Sequence, residues 1–427
     1  MQRLTNLLQK MWHTKALRKK LLFTAAMFLI FRFLAHVPLP GVDLLKLGSI
    51  FENNQFLNLL NIFSGGTLSN FSIVAVGINP YITASIIIQL ATMVFPKLKE
   101  IQKDGESGRE RINQYTRLAS VPLAIIQSVS VLTLLRSQEL IQIDNPLLLV
   151  GLIATLVAGS MIVLWLGELV SLYGIGNGIS MILLGGILSR LPVTVAELFT
   201  TGAGDQSFTA IIVLALFIAI IAMVVFMNES VRKVTIQYAK RQRGSRVYGD
   251  YMTHLPIRVN VSGVMPIIFA LSIMIAPSFI GRLLVASQQV QLVILGQKLQ
   301  LWFAQTNPVY IVSYFLVVFF FSFFSALIFF NAEDLSSELK KSGAFLPGVR
   351  PGAATKKYLE FVVNRITLAG AFFLGFIAIL PSLVQNATGI QSLALGGTSA
   401  LIVVSVILET AKQVESMLVE QNYDQYR

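Results

Sequence analysis

No cysteine occurs in the 427 residues, and histidine appears only at His13, His36 and His254. The first absence excludes disulfides, thiolate nucleophiles and cysteine-ligated metals, and the scatter of the histidines argues against a zinc or di-iron centre. No metal and no cofactor is expected. Charge is also scarce, at 13% of residues, where an ordinary soluble domain carries about 25%. Neither HExxH nor GxxxxGK[ST] is found, so zinc hydrolysis and nucleotide hydrolysis have no site. The tetrad Gly202-Ala203-Gly204-Asp205 matches the GxGD string of intramembrane aspartyl proteases, but a partner aspartate in a neighbouring apolar stretch is missing. No catalytic residue is expected. If the protein performs work, the energy comes from a partner.

What the chain does have is apolar sequence: 55% of residues are hydrophobic and the mean hydropathy is +0.71. A bilayer core about 30 Å thick takes about 20 apolar helical residues to cross. Apolar stretches fall near 21–37, 71–95, 118–135, 147–170, 175–193, 208–227, 262–281, 308–330, 366–384 and 393–408. They predict an all-α polytopic membrane protein with ten spans. Of the 33 Lys and Arg, 27 lie in the two tails and in the connections 97–117, 228–258 and 331–365, all on one side of such a fold. The positive-inside rule puts that side, and both termini, in the cytoplasm. No small-residue cleavage site follows the first stretch, which reads as a retained span behind an amphipathic lead at 1–20.

Some features interrupt the regular pattern. The segment Phe56 to Phe71, FLNLLNIFSGGTLSNF, is apolar enough to enter a membrane and too short to cross it. It is either a re-entrant segment enclosed by protein or an amphipathic helix on the outer interface. Asn79-Pro80 predicts a kink or a helix start in the second span. GIGNG (174–178) opens the fifth span, and Gly263 and Pro266 the seventh. Within the spans, Arg32 and Glu168 read as snorkelling or helix-end charges. VRKVTIQYAKRQRG (231–244) alternates apolar and polar residues, suggesting a hairpin that projects from the membrane. KKSGAFLPGVRPG (340–352) presents basic residues on a loop stiffened by Gly and Pro. Basic loops of this type suit anionic lipids or a large acidic partner.

Seven strings, in order along nearly the whole chain, resemble the SecY family of channel subunits of bacterial protein translocases: SGGTLSNFSIVAVGINPYITASIIIQL (64–90), KDGESGRERINQYTR (103–117), GIGNGIS (174–180), VTIQYAKR (234–241), THLPIRVNVSGVMPIIFA (253–270), LKKSGAFLPGVRPG (339–352) and LGGTSALIVV (395–404). The resemblance implies ten helices in two pseudo-symmetric inverted halves of five, at 21–193 and 208–411, joined by an outer hinge loop at 194–207 and ending in a tail at 412–427. It implies an hourglass pore that opens sideways between spans two and three and spans seven and eight. The pore ring would be Ile82, Ile86, Leu183, Ile187, Ile268 and Ile402; Leu183 departs from the isoleucine common at its position. The segment 57–71 would be a plug, with Leu57, Leu60, Phe63, Ser64, Gly65, Gly66 and Thr67 in it. Arg243, Arg246, Lys340, Lys341 and Arg350 would receive the SecA motor ATPase or a translating ribosome. SecE, SecG, anionic lipids and substrate polypeptides with signal sequences are the other implied partners. The implied place is a bacterial inner membrane, or a plastid thylakoid. The competing reading, a secondary transporter for a small solute, would need coordinating polar residues at mid-membrane.

Overall fold

The computed structural model describes residues 14–40, 61, 64, 67–68, 70–137, 145–200, 207–238, 241–243, 246–248, 252–260, 263, 265–285, 289–388 and 391–424. Each of the ten apolar stretches carries a helix: α1 (Lys15–Leu34), α2 (Asn79–Val94), α4 (Glu106–Ser137), α5 (Pro146–Tyr173), α6 (Gly178–Thr200), α7 (Ser207–Glu229), α8 (Met265–Val285), α10 (Pro308–Phe329), α12 (Ala353–Thr388) and α13 (Gln391–Asp424). Three further helices lie between them: α3 (Pro96–Lys103), α9 (Val290–Trp302) and α11 (Ala332–Lys341). Among the described residues, α4, α5, α10 and α12 are long and apolar enough to cross a membrane as single helices. The pair α2 and α3, bent by 107°, makes a fifth span if counted as one.

Local sequence explains where these helices begin. Asn145 and Asn307 each precede a proline, and their side-chain oxygens accept from Leu147 N at 3.0 Å and Val309 N at 2.9 Å. The cap satisfies one orphan amide, and proline in the first turn needs no partner for the N–H it lacks. Pro80 likewise lies in the first turn of α2, so Asn79-Pro80 is a helix start and not a kink. Pro96 turns α3 away from α2, because the residue before a proline is pushed out of the helical region. At GIGNG, Asn177 Oδ1 caps α6 by accepting from Ile179 N at 3.1 Å. A Cβ at Gly178 would stand 1.8 Å from Gly167 O, so only glycine allows α5 and α6 to meet this closely.

The helices outrun the apolar stretches that announced them. α12 has 36 residues and α13 has 34, roughly 50 Å each at 1.5 Å per residue against a bilayer core of about 30 Å. The basic lead from Lys15 onward is the first part of α1, and α6 continues to Thr200, leaving a shorter connection to α7 than the expected 194–207. Good helix formers such as Ala196, Glu197 and Leu198 extend it.

The projecting hairpin is present and longer than its announcing string. Strand β1 (Val231–Tyr238) pairs antiparallel with β4 (Met252–Arg258), from Val231 against Arg258 to Gln237 against Met252. Between them β2 (Arg241–Arg243) pairs with β3 (Arg246–Tyr248). β5 (Ala344–Phe345) adds to the other edge of β1, giving the order β4-β1-β5. Val234, Ile236 and Ile257 point from this sheet into one buried cluster with Leu339 of α11 and Leu359 and Val363 of α12. Two connections that lie apart in sequence thus share one core.

The main apolar core runs through both halves, from Phe31, Val163 and Ile182 to Ile267, Tyr314, Ile377 and Leu401. Between halves, α6 packs on α13 and α2 touches α8. The two ends of the chain also meet, Leu17 of α1 packing with Ile175, Val414 and Leu418.

Candidate functional site

A cavity of about 700 Å³ opens at the end of the molecule that carries the basic connections. Its innermost lining comes from Tyr81 and Ile82 on α2, Leu183 on α6, Ile268 and Phe269 on α8 and Ser405 on α13. Three expected ring residues, Ile82, Leu183 and Ile268, are thus part of this floor. Ile82, Ile86, Leu183, Ile187, Ile268 and Ile402 are between 2% and 6% exposed and belong to a single buried cluster. Ile82, Leu183 and Ile268, from both halves of the chain, line one funnel, and Ile86, Ile187 and Ile402 are buried in the same apolar cluster.

Polar and charged side chains stand among apolar ones along the funnel wall. Arg117 of α4 forms an ion pair with Glu168 of α5 across it. Glu168, near the end of α5 as a helix-end charge would be, is thus paired with a neighbouring helix. Lys412 of α13 pairs with Glu229 at 2.8 Å and donates to Asn228 O at 3.3 Å. Asn228 Nδ2 donates to Ser405 Oγ at 2.9 Å, and Asn260 Nδ2 donates to Asn228 Oδ1 at 2.8 Å and to Gly263 O at 3.0 Å. Sequence reading missed this network, because its members sit up to 184 residues apart. The only signal was a lone polar residue closing an apolar stretch, as Asn228 does after Met227.

Of the expected plug residues, Leu57, Leu60, Phe63, Gly65 and Gly66 lie outside the described residues. Ser64 and Thr67 are described and buried, together with Asn61, Leu68 and Phe71. Ser64 Oγ donates to Asn61 O at 3.0 Å and accepts from Leu68 N at 3.2 Å, while Thr67 Oγ1 lies 2.8 Å from Ser64 O and 3.0 Å from Val74 O. Leu68 and Phe71 pack with Leu132, Leu152 and Leu156 of α4 and α5. Ser160 of α5 donates to Gly77 O at 2.8 Å. These described parts are enclosed by protein, as the re-entrant alternative requires and an interfacial helix does not.

The expected docking residues fall on two surfaces. Arg243 and Arg246 stand opposite each other across the β2–β3 pair. Lys340 and Lys341 close α11, and Arg350 is exposed in the following loop. Thr355 Oγ1 donates to Arg350 O at 2.9 Å, and Ser336 Oγ donates to Gly352 O at 2.9 Å, so the loop backbone is tied on either side of Pro351. β5, just after α11, pairs with β1, the strand that precedes the β2–β3 pair. Asp205 of the GxGD tetrad lies outside the described residues.

The SecY family profile matches residues 72–411 of this chain. The chain belongs to the SecY family. The protein translocase subunit SecY of Mycobacterium tuberculosis (strain H37Rv) is 40% identical, over 96% of this chain and 97% of that one. The subunit of the same name from Escherichia coli K12 is 39% identical, over 96% and 93%. Among solved structures, one described as a protein-conducting channel superposes with a TM-score of 0.65 at 18% identity, over 93% of this chain and 92% of that one. Sec61 in a canine ribosome–channel complex gives a TM-score of 0.60 at 17% identity, over the same shares. The ten helices described above fit the fold of these SecY and Sec61 channels.

Proposed function

We propose that this chain is the pore-forming subunit of a protein-conducting channel, passing unfolded polypeptides across the membrane and releasing apolar segments sideways into lipid. The observation that carries the reading is the convergence of Ile82, Leu183 and Ile268 at the floor of one funnel, with Ile86, Ile187 and Ile402 buried in the same apolar cluster. A ring of branched aliphatic side chains excludes water and ions by dewetting, yet deforms around any passing chain because it makes no directional bonds. A small-solute transporter would need polar ligands where these side chains stand. Segments leave for lipid between α2 and α8 by their own transfer free energy. That is roughly −0.3 to −0.6 kcal/mol for each Leu, Ile, Phe or Val, against about +2.5 to +3.5 for a charge at the helix centre.

In this reading both termini and the β1–β4 hairpin face the cytoplasm of a bacterium, or the stroma if the membrane is a thylakoid. The segment around Ser64 and Thr67 is the plug that backs the ring from the far side. The surfaces bearing Arg243, Arg246, Lys340, Lys341 and Arg350 receive SecA or the ribosome, and SecE and SecG complete the channel. Support for the ribosome as a partner comes from the Sec61 relative, whose structure is of a ribosome–channel complex.

The test is reconstitution of the purified chain with SecE, SecG and SecA in sealed vesicles with an unfolded secretory precursor and ATP. Protease-protected precursor is the expected result. Uptake of a small solute in place of the precursor would support the transporter.

A further inference from the structure

Two ion pairs stand at the funnel, Arg117 with Glu168 and Lys412 with Glu229, and Arg258 and Glu409 also line it. Carboxamides and hydroxyls make up most of its other polar side chains, and Asn260 differs from the rest. It is 7% exposed, and both hydrogens of its amide are committed, one to Asn228 Oδ1 and one to Gly263 O. Since both partners are acceptors, the amide has one orientation only, with Oδ1 as the remaining end. That oxygen is shielded from solvent and has no hydrogen-bond partner among the described residues. Buried acceptors in native proteins nearly always find a donor, and one left bare costs stability. Here the chain holds the bare acceptor firmly. Asn228, anchored to Ser405 and approached by Lys412, fixes the side chain from α7 and α13, while Gly263 fixes it from the connection into α8. The residue lies on the cavity wall, eight positions before Ile268 on the floor.

We propose that Asn260 Oδ1 receives main-chain N–H groups of the polypeptide in transit as they leave the wet funnel for the aliphatic ring. The proposal rests on the protein-conducting reading above and names the substrate chemistry that this wall recognises. Peptide groups entering an aliphatic constriction lose their water, and a donor without a partner there is unfavourable. A neutral carboxamide oxygen accepts from the backbone of any residue but proline, so it serves every sequence; a carboxylate in its place would select cations. For this contact a chain seated in the funnel has to part the side chains that screen the oxygen. Because no bulk water reaches that atom beforehand, the incoming N–H gains a bond without displacing one.

The test compares wild type, Asn260→Ala and Asn228→Ala in vesicles with the full set of partner subunits, motor and ATP. Two precursors are used, identical except for a mid-chain insert of ten alanines or of ten prolines, which carry no N–H. The rate of appearance of protected chain is read for each. Asn260→Ala is expected to slow the alanine precursor about fivefold, the size of one ordinary hydrogen bond, and to leave the proline precursor at its wild-type rate. Asn228→Ala, which keeps Oδ1 and the Gly263 contact, is expected to slow both precursors to the same small extent. Equal slowing of both by Asn260→Ala would reduce the residue to a structural role, and no slowing of either would remove it from the path; both overturn the proposal. Failure of the wild type to protect either precursor would instead overturn the protein-conducting reading.

Discussion

Ile86 and Ile402 show how little chemistry the seal needs. Each contributes a branched aliphatic side chain that is at most 5% exposed, and the barrier they help form comes from what water cannot do among them. Replacing either with Asn puts a hydrogen-bonding group into the constriction and stabilises water there. Resting ion conductance in planar bilayers is expected to rise for both variants, and weaker signal sequences to pass more readily. Arg350 poses a different question, since its loop backbone is tied through Thr355 and Ser336 while its guanidinium is exposed. A guanidinium forms planar bidentate bonds and an ammonium does not. Arg350→Lys is therefore expected to impair motor-driven export, and Arg350→Glu to abolish it, with membrane insertion and ion sealing intact in both. ATP-driven translocation in vesicles checks this. Normal export by the Glu variant would leave docking to Arg243 and Arg246. At this scale the sequence was legible where resemblance to a family supplied the roles, as for the ring. It was silent on Asn260, whose partners Asn228 and Gly263 become neighbours only when α7, α8 and α13 assemble.

At the scale of elements, the segment before α2 is held by close backbone contacts as well as by its buried side chains. A Cβ at Gly159 would stand 1.9 Å from Ile73 O, and the next residue, Ser160, bonds Gly77 O. Gly159→Ala forces α5 away from residues 73–77 and is expected to destabilise the protein by about 1–3 kcal/mol, as overpacking does elsewhere. A lowered thermal unfolding midpoint in detergent reads this. Deleting Asn61 to Ser69 is expected to give spontaneous single-channel openings while translocation continues, because the aliphatic ring remains. Records without such openings would show that this segment does not back the seal. The helices on long apolar stretches and the β1–β4 hairpin were readable from periodicity. α9 was not, since VQLVILGQKLQLW is short and breaks its apolar run with Gly296 and Lys298. The pairing of β5 was also hidden, because two residues carry no alternation of their own and join β1 from more than a hundred positions away.

Over the whole molecule, a floor built largely of aliphatic side chains from α2, α6 and α8, with Ile402 of α13 buried in the same cluster, closes a funnel beneath a basic face. The proposed function requires this floor to encircle a polypeptide in transit. The natural chain has no cysteine, so single cysteines can be placed without background. A precursor carrying one cysteine at successive positions is stalled by a folded C-terminal domain in vesicles bearing Ile82→Cys, Leu183→Cys, Ile268→Cys or Ile402→Cys. Disulfide crosslinking is then mapped for each. The account predicts that all four positions crosslink within the same short window of the stalled chain, and that cysteine at the exposed Trp165 does not. Crosslinks from Trp165→Cys with none from those four positions would show that the chain passes elsewhere and would contradict the account.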